Sequence, residues 1–133
     1  MQEMELAMPL VRVSLKNGRS EQAKKIILDQ IYLAMRETFD VPENDRFMIL
    51  TEHDGADFSF DRSYLDIARS DQLVIIQLTV SNTRTVEKKK ALFAGITRRL
   101  SEEAGMRPED VFINLVETEK ENWSFGNGIA QYA

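Results

Sequence analysis

The most unusual chemical group that this sequence could supply is the nitrogen of Pro9, which follows Met8. A starting methionine is readily removed before a small residue such as proline, so translation from Met8 would leave Pro9 with a free secondary amine. A free α-amino group titrates at about pH 7.7–8.0, and burial or a neighbouring cation would lower its pKa. Such an amine acts as a base when neutral and as an acid when charged. Inside a longer chain the same nitrogen is an amide without a basic lone pair.

Arginine and aspartate side chains supply the other candidate groups. A guanidinium binds a carboxylate through two parallel hydrogen bonds and stabilises negative charge on a carbonyl oxygen. Arg19 and Arg84 each precede a helix-capping residue, and Asp45 lies in a predicted turn after a proline. All three also have ordinary structural interpretations, because an arginine beside a helix cap is often solvated and an aspartate near a proline often caps a turn. Pro9 itself could be a proline at the edge of a sheet.

Composition excludes several kinds of site. The 133 residues include no cysteine and a single histidine, which excludes disulfides, thiol nucleophiles and clusters of thiolate or histidine ligands. The net charge of −5 disfavours a nucleic-acid partner, and no apolar segment approaches the roughly 20 residues that cross a membrane. We therefore expect a cytoplasmic protein with no cofactor, no metal, no nucleic-acid partner and no membrane contact.

The elements that must position these groups repeat once along the chain. An offset of 65 residues aligns residues 18–25 with residues 83–90 and pairs Asp45 with Asp110. Polar and apolar positions agree over about half of the chain, which indicates a duplicated unit. We expect Asp110, in the same kind of turn as Asp45, to be structural.

Each unit is predicted to begin and end with a strand. Residues 10–15 alternate between apolar and polar side chains, as in a strand with one buried face. Residues 73–80 are almost continuously apolar, as in a central strand. The closing strands are predicted at residues 47–52 and 111–117.

A helix is predicted between the two strands of each unit. Ser20 and Thr85 are good N-cap residues, and apolar residues recur after them at helical spacing. The first helix must end before Pro42, and the second is expected to end near Gly105.

Two such units predict an α+β fold, because right-handed crossovers make the strands within each unit parallel. The units span about residues 9–53 and 72–118 and should form a four-stranded sheet with two helices on one face. The other face would be apolar and bare, which favours a homo-oligomer. Residues 54–70 are predicted to be a long loop or hairpin that covers a pocket. The tail, residues 121–133, is predicted to form a turn and a short strand that pairs with a neighbouring subunit.

Three segments together resemble the tautomerase superfamily: MPLVRV at residues 8–13, VPENDRF at 41–47 and ENWSFG at 121–126. With the GRS segment at residues 18–20 and the duplicated unit, they are most similar to the branch that contains malonate semialdehyde decarboxylase. More distant members are macrophage migration inhibitory factor and 4-oxalocrotonate tautomerase. The resemblance extends over residues 8–133, almost the whole chain.

The resemblance implies a trimer of β-α-β chains in which an N-terminal proline is the catalytic group. It places catalysis on Pro9, Asp45 and Arg84, and substrate binding on Arg19, Trp123 and Phe125. The second arginine of the decarboxylase branch falls near Asn82, a departure that weakens the match to that branch's substrate. The resemblance also implies that residues 1–8 are a leader or tag, removed or disordered, and that residues 9–133 form one domain with a C-terminal extension.

The residues and the resemblance together favour a proline-dependent tautomerase or decarboxylase. It would act on a small 2-keto, enol or 3-oxo carboxylic acid, with Pro9 as general acid or base after removal of Met8. The alternative is a non-catalytic protein of the same fold that binds a small molecule or a protein and keeps a blocked proline. A third interpretation is a ferredoxin-like regulatory domain, since β-α-β duplications serve many functions.

Overall fold

Four strands and two long helices carry the fold of residues 9–133, the part of the chain that the computed structural model describes. In chain order they are β1 Leu10–Lys16, α1 Glu21–Phe39, β2 Met48–His53, β3 Val74–Ser81, α2 Val86–Ala104 and β4 Val111–Thr118. The expectation that residues 1–8 are a leader or tag falls outside the described residues.

The strands form one mixed sheet in the order β2-β1-β3-β4. β1 is parallel to β2 and β3 is parallel to β4, whereas the central pair β1 and β3 is antiparallel. Each unit therefore contributes one parallel pair, and the predicted four-stranded sheet with two helices is confirmed.

The two helices confirm the duplication. Each has 19 residues, and they begin at Glu21 and Val86, which are 65 positions apart. Both predicted caps form: Ser20 Oγ accepts from the Ala23 amide at 3.1 Å, and Thr85 Oγ1 accepts from the Lys88 amide at 3.2 Å.

The helix ends are also as expected. The second helix is followed by Gly105 with φ 66°, a left-handed conformation that glycine adopts without steric cost. The first is followed by Asp40 with φ 55°, and so stops before Pro42.

The core lies between the helices and one face of the sheet. Val11, Val13 and Leu15 of β1 point into it and are at most 1 % exposed, which is the alternation that the sequence predicted. The helices contribute Ile27, Ile31, Met35, Leu92, Ile96 and Leu100, each likewise at most 1 % exposed. Burial of this apolar area is the main force that holds the two units together.

The opposite face of the sheet is less apolar than predicted. Its central row places Arg12 beside Gln77, and both are exposed. Apolar side chains lie mainly on the two edge strands, where Ile49, Phe112 and Val116 are 45–46 % exposed. The prediction of a bare apolar face is therefore corrected to a face with a polar centre and apolar edges.

Residues 54–70 form a loop with two short 3-10 turns, Gly55–Asp57 and Tyr64–Asp66, and no strand. The loop covers a cavity of about 280 Å³, lined by Ser59, Phe60, Asp61, Tyr64, Arg69, Leu73, Ile75 and Phe112. A covering loop is thus confirmed. The tail after β4 contains one 3-10 turn, Lys120–Asn122, and otherwise turns and irregular backbone, so the predicted short strand is not formed within the chain.

Asp110 anchors the end of the covering loop. It is 1 % exposed, and its carboxylate accepts from the amide and the hydroxyl of Ser70 at 2.7 and 2.6 Å. Arg107 lies 3.5 Å away. These contacts give Asp110 the structural role that the sequence predicted.

Asp110→Ala should lower the free energy of unfolding by about 2–4 kcal/mol, because it leaves two partly buried donors of Ser70 without an acceptor. Urea unfolding at fixed protein concentration measures this loss. Glu109→Ala is the matched control: Glu109 has only a long, solvent-exposed contact with Arg107, so its change should stay within about 0.5 kcal/mol. Equal losses in the two variants would contradict the role of Asp110.

Candidate active site

The candidate site lies at one end of the sheet, which we call the Pro9 end. It contains the starts of β1 and β2 and the ends of β3 and β4. Pro9 directly precedes β1 and is buried. The backbone beside it is fixed on both sides, because the Val11 amide donates to the Phe47 carbonyl at 3.0 Å and Leu10 lies opposite Thr79 of β3.

Asp45 lies in the turn that leads from α1 into β2. Its amide donates to the Pro42 carbonyl at 3.1 Å, which confirms the predicted turn, and the residue is half-buried. Phe47, close behind it in sequence, accepts a hydrogen bond from β1, so Asp45 belongs to the Pro9 end. The Asp45 carboxylate also acts electrostatically on Arg84.

Arg84 follows β3 at the same end and is anchored to both β3 and α1. Nη1 donates to Ser81 Oγ at 2.7 Å, and Nη2 donates to the carbonyl oxygen of Phe39, the last residue of α1, at 2.8 Å. The guanidinium lies over the Phe39 ring, with Cζ 4.7 Å from the ring centroid. Arg84 is therefore not a solvated surface residue. It satisfies a carbonyl at the helix end, where no intrahelical donor is available.

The electrostatics of Arg84 suit it to bind an anion. Burial lowers the pKa of its guanidinium, while the carboxylates of Asp40 and Asp45 favour the charged form and oppose this shift. The group remains charged at neutral pH because the pKa of an arginine side chain lies far above neutrality. A fixed, half-buried charge is screened less by water than a solvated one, so it binds a carboxylate or an oxyanion more strongly.

Arg19 lies at the opposite end of the sheet. It follows β1, and its Nη2 donates to the Gln72 carbonyl at 2.6 Å. Burial lowers the pKa of its guanidinium, and the charge of Asp110 opposes this shift. β1 has 7 residues, which corresponds to roughly 23 Å at about 3.3 Å per residue. Arg19 and Pro9 of one chain are therefore too far apart to contact the same small molecule.

Trp123 and Phe125 are brought to the Pro9 end by the end of β4. Trp123 Nε1 donates to Thr118 Oγ1 at 2.7 Å, and Thr118 Oγ1 donates in turn to the Val80 carbonyl at 3.1 Å. The rings of Trp123 and Phe125 are stacked with centroids 5.4 Å apart, and Tyr132 meets Phe125 edge-on, also at 5.4 Å. We call Trp123, Phe125 and Tyr132 the aromatic cluster.

Sequence reasoning missed Ser81, Thr118 and Tyr132. Ser81 is 2 % exposed and orients Arg84, and Thr118 fixes the indole of the aromatic cluster. Ser81 and Thr118 are register partners at the ends of β3 and β4, but hydroxyl residues are too common at strand ends to be singled out from a sequence. Contact of Tyr132 with the cluster depends on how the tail folds back, which no local pattern indicated.

Asn82 and Glu119 form a further pair at this end. Asn82 follows β3, Glu119 follows β4, and Asn82 Nδ2 donates to Glu119 Oε1 at 2.9 Å. The position near which the family resemblance implied a second arginine thus has a neutral amide bound to a carboxylate.

Two further features of residues 9–133 concern metal ions and membranes. No group of three or more histidine, cysteine, aspartate or glutamate side chains in this range is arranged to hold a metal ion. None of the helices in the same range is both long and apolar enough to cross a membrane.

Comparison with known sequences places both halves of the chain in related families. Two family models, each described as "Tautomerase enzyme", match residues 45–126 and residues 9–61. The chain is 42 % identical to the probable tautomerase YusQ of Bacillus subtilis (strain 168) over 124 residues, which cover 93 % of this chain and 98 % of the relative.

Solved structures share the fold over nearly the whole chain. FG41 malonate semialdehyde decarboxylase, inhibited by 3-bromopropiolate, is 39 % identical with a TM-score of 0.87, covering 92 % of this chain and 93 % of that chain. A symmetric trimer of fused 4-OT is 24 % identical with a TM-score of 0.75, covering 90 % of this chain and 94 % of that chain.

Thr118→Val should release the indole of Trp123 while keeping the shape of the side chain. Loss of the two hydrogen bonds, from Trp123 and to the Val80 carbonyl, should lower the free energy of unfolding by about 1–3 kcal/mol. Trp123 is the single tryptophan, so its fluorescence emission and its quenching by acrylamide report directly on the aromatic cluster, and both should change. Thr97→Val, which loses only a bond to the Phe93 carbonyl within α2, should leave the emission as it is. An unchanged emission in Thr118→Val would contradict the anchoring role.

Proposed function

Because this chain belongs to the tautomerase family, we propose that it is a cofactor-independent enzyme whose Pro9 amine, freed by removal of Met8, transfers a proton in a small carboxylic acid. The substrate would be a 2-keto, enol or 3-oxo acid. The observation that carries the proposal is the burial of Pro9 at the end of the sheet where Asp45 and the half-buried Arg84 also lie.

Arg84 would bind the substrate carboxylate or the oxygen on which negative charge develops. Its contacts with Ser81 and the Phe39 carbonyl hold the guanidinium in one orientation before a substrate arrives, and such preorganised groups stabilise a transition state without further rearrangement. Asp45 would orient a water molecule or the Pro9 ammonium. The aromatic cluster would contact the apolar part of the substrate.

Two reactions fit this set of residues. In tautomerisation, the neutral amine takes the proton from an enol oxygen and a proton is delivered to carbon, which yields the ketone. In decarboxylation, a 3-oxo acid loses carbon dioxide while the charged amine stabilises the developing enolate and protonates its carbon. A nearby guanidinium lowers the pKa of an ammonium group and a nearby carboxylate raises it, so the balance between Arg84 and Asp45 would select the reaction.

We further propose that the protein is a homotrimer. The likeness to a symmetric trimer of fused 4-OT and the exposed apolar edges of the sheet support this assembly. Arg19, far from Pro9 in its own chain, could bind a substrate only in a site shared between copies. Light scattering of the purified protein would give three times the chain mass.

The second candidate function is non-catalytic binding on the same scaffold. Its basis is that residues 1–8 precede Pro9 in the sequence, and a chain that keeps them has an amide at residue 9 in place of an amine. The two candidates differ in chemistry, because only a free proline amine reacts with an electrophile.

Three forms of the protein separate the candidates: one that starts at Pro9, one that retains residues 1–8, and a Pro9→Ala variant that starts at residue 9. The first should convert an enol of phenylpyruvate or malonate semialdehyde. The second should be inactive, and the third should be slower by about 100-fold, the usual range for loss of a general acid or base. Loss of enol absorbance or formation of acetaldehyde measures the rates, and intact mass verifies each N-terminus. Equal rates for the first and third forms would rule out proline catalysis.

Covalent labelling provides an independent readout. The form that starts at Pro9 should react with 3-bromopropiolate and gain mass on its N-terminal peptide, whereas the form that retains residues 1–8 should not. Absence of both labelling and turnover in the first form would favour the binding protein.

Asp45→Asn should lower kcat/KM by about 100-fold with little change in the melting temperature, because Asp45 contributes its charge mainly to the site. Asp40→Asn is the matched control. Asp40 also acts on Arg84 electrostatically, but its carboxylate is exposed and pairs with Lys88 at 3.2 Å. Its kcat/KM should change less than threefold. If both variants lose activity equally, Asp45 acts only through the general field around Arg84.

A further inference from the structure

We propose that Glu119 makes the Pro9 end selective for substrates with a single carboxylate and an apolar remainder. The inference rests on the proposed function, because it concerns the substrate of the same site. It assigns specificity to a residue that is not itself expected to react.

The position of Glu119 follows from the sheet. Ser81 and Thr118 are the last register partners of the parallel strands β3 and β4, and Asn82 and Glu119 are the next residue on each chain. Pro9 precedes β1, which adjoins β3. Two strand spacings of about 4.8 Å each and an offset of two residues along β4 place the backbone of Glu119 roughly 12 Å from that of Pro9. A small dicarboxylic acid and the length of the Glu119 side chain together span this distance.

The carboxylate of Glu119 has only a neutral side-chain partner among residues 9–133. Its hydrogen-bond donor, Asn82, is neutral, and within residues 9–133 Glu119 forms no ion pair. Two other carboxylates have cationic partners: Glu117 pairs with Lys89 at 3.0 Å and Asp40 pairs with Lys88 at 3.2 Å. The amide of Asn82 therefore fixes where the charge lies without cancelling it.

Glu119 is exposed, and aromatic residues follow it closely along the chain. Thr118, the preceding residue, holds Trp123 through a hydrogen bond of 2.7 Å, and Trp123 stacks on Phe125. A ligand whose carboxylate is bound by Arg84 would direct its other end towards these rings. An apolar or aromatic group is favoured there, whereas a second carboxylate would meet the like charge of Glu119. Repulsion of this kind discriminates between ligands as effectively as an added attraction.

The test compares two enols in the protein that starts at Pro9: the enol of phenylpyruvate, with one carboxylate, and 2-hydroxymuconate, with two. Wild type should prefer the first. Glu119→Gln keeps an acceptor for Asn82 and removes the charge. Because Glu119 is exposed, kcat/KM for the dicarboxylate relative to the monocarboxylate should rise about two- to tenfold, as expected for like charges some 5–10 Å apart that water largely screens. High salt screens the charge of Glu119, so it should also raise the relative kcat/KM of wild type for the dicarboxylate.

Glu121→Gln is the control for net charge. Glu121 is exposed and makes no hydrogen bond or ion pair with the other described residues, so its removal should leave the ratio within twofold. The proposal is overturned if wild type uses both enols equally well, or if Glu119→Gln and Glu121→Gln change the ratio to the same extent.

Measurements of ligand affinity test this proposal independently of the proposed reaction. Quenching of Trp123 fluorescence gives Kd for phenylpyruvate and for a dicarboxylate such as 2-oxoadipate without any turnover. If the protein that starts at Pro9 converts neither enol, the proposed reaction is wrong. The role of Glu119 is still supported if the Kd of the dicarboxylate relative to that of phenylpyruvate falls in Glu119→Gln and stays unchanged in Glu121→Gln. A ratio that does not move contradicts it.

Discussion

The antiparallel pairing of β1 with β3 is the constraint on which the candidate site depends. Within each unit the strands are parallel, so a single unit exposes only strand starts at one end and only strand ends at the other. The antiparallel pairing extends from Leu10 opposite Thr79 to Leu15 opposite Val74, so the strands of the two units run in opposite directions. The residue before the first strand therefore adjoins the residues after the third and fourth. Had β1 and β3 been parallel, Pro9 and Arg84 would lie about a strand length apart, roughly 25 Å for eight residues.

The two repeated units are similar, but equivalent residues in them have different positions and contacts in the folded chain. Arg19 and Arg84 occupy the same repeat position, and each donates to a backbone carbonyl of the other unit. Only Arg84 lies at the end of the sheet that contains Pro9. Asp45 and Asp110 differ further. Asp110 is buried and its carboxylate accepts a hydrogen bond from Ser70 of the covering loop. Asp45 is half-buried, and its charge acts on Arg84.

Much of this architecture could be predicted from the sequence, because the repeat offset, the two N-caps and the alternating strands are patterns that short stretches of sequence determine. The candidate site could be proposed from the sequence only through family resemblance. Pro9, Asp45 and Arg84 come from three separate segments, and their convergence depends on how the units join. The same limit explains why the Thr118 contact with Trp123 was missed and why the open face was expected to be apolar: Arg12 and Gln77 form its centre only because β1 and β3 pair in this register.

Arg84 also links stability with chemistry. Its guanidinium closes the end of α1 through the Phe39 carbonyl and stacks on the Phe39 ring, so the group that would bind the substrate also fixes a helix to the sheet. The charge is already desolvated in part, and the carbonyl at the helix end, which carries partial negative charge, compensates for this. A substrate carboxylate would then meet a cation that has less solvent to lose than an exposed arginine and whose side chain is already oriented. Rigidity of the helix end would thus contribute to substrate binding at the candidate site, and changes in α1 that loosen Phe39 should weaken that binding before they unfold the protein.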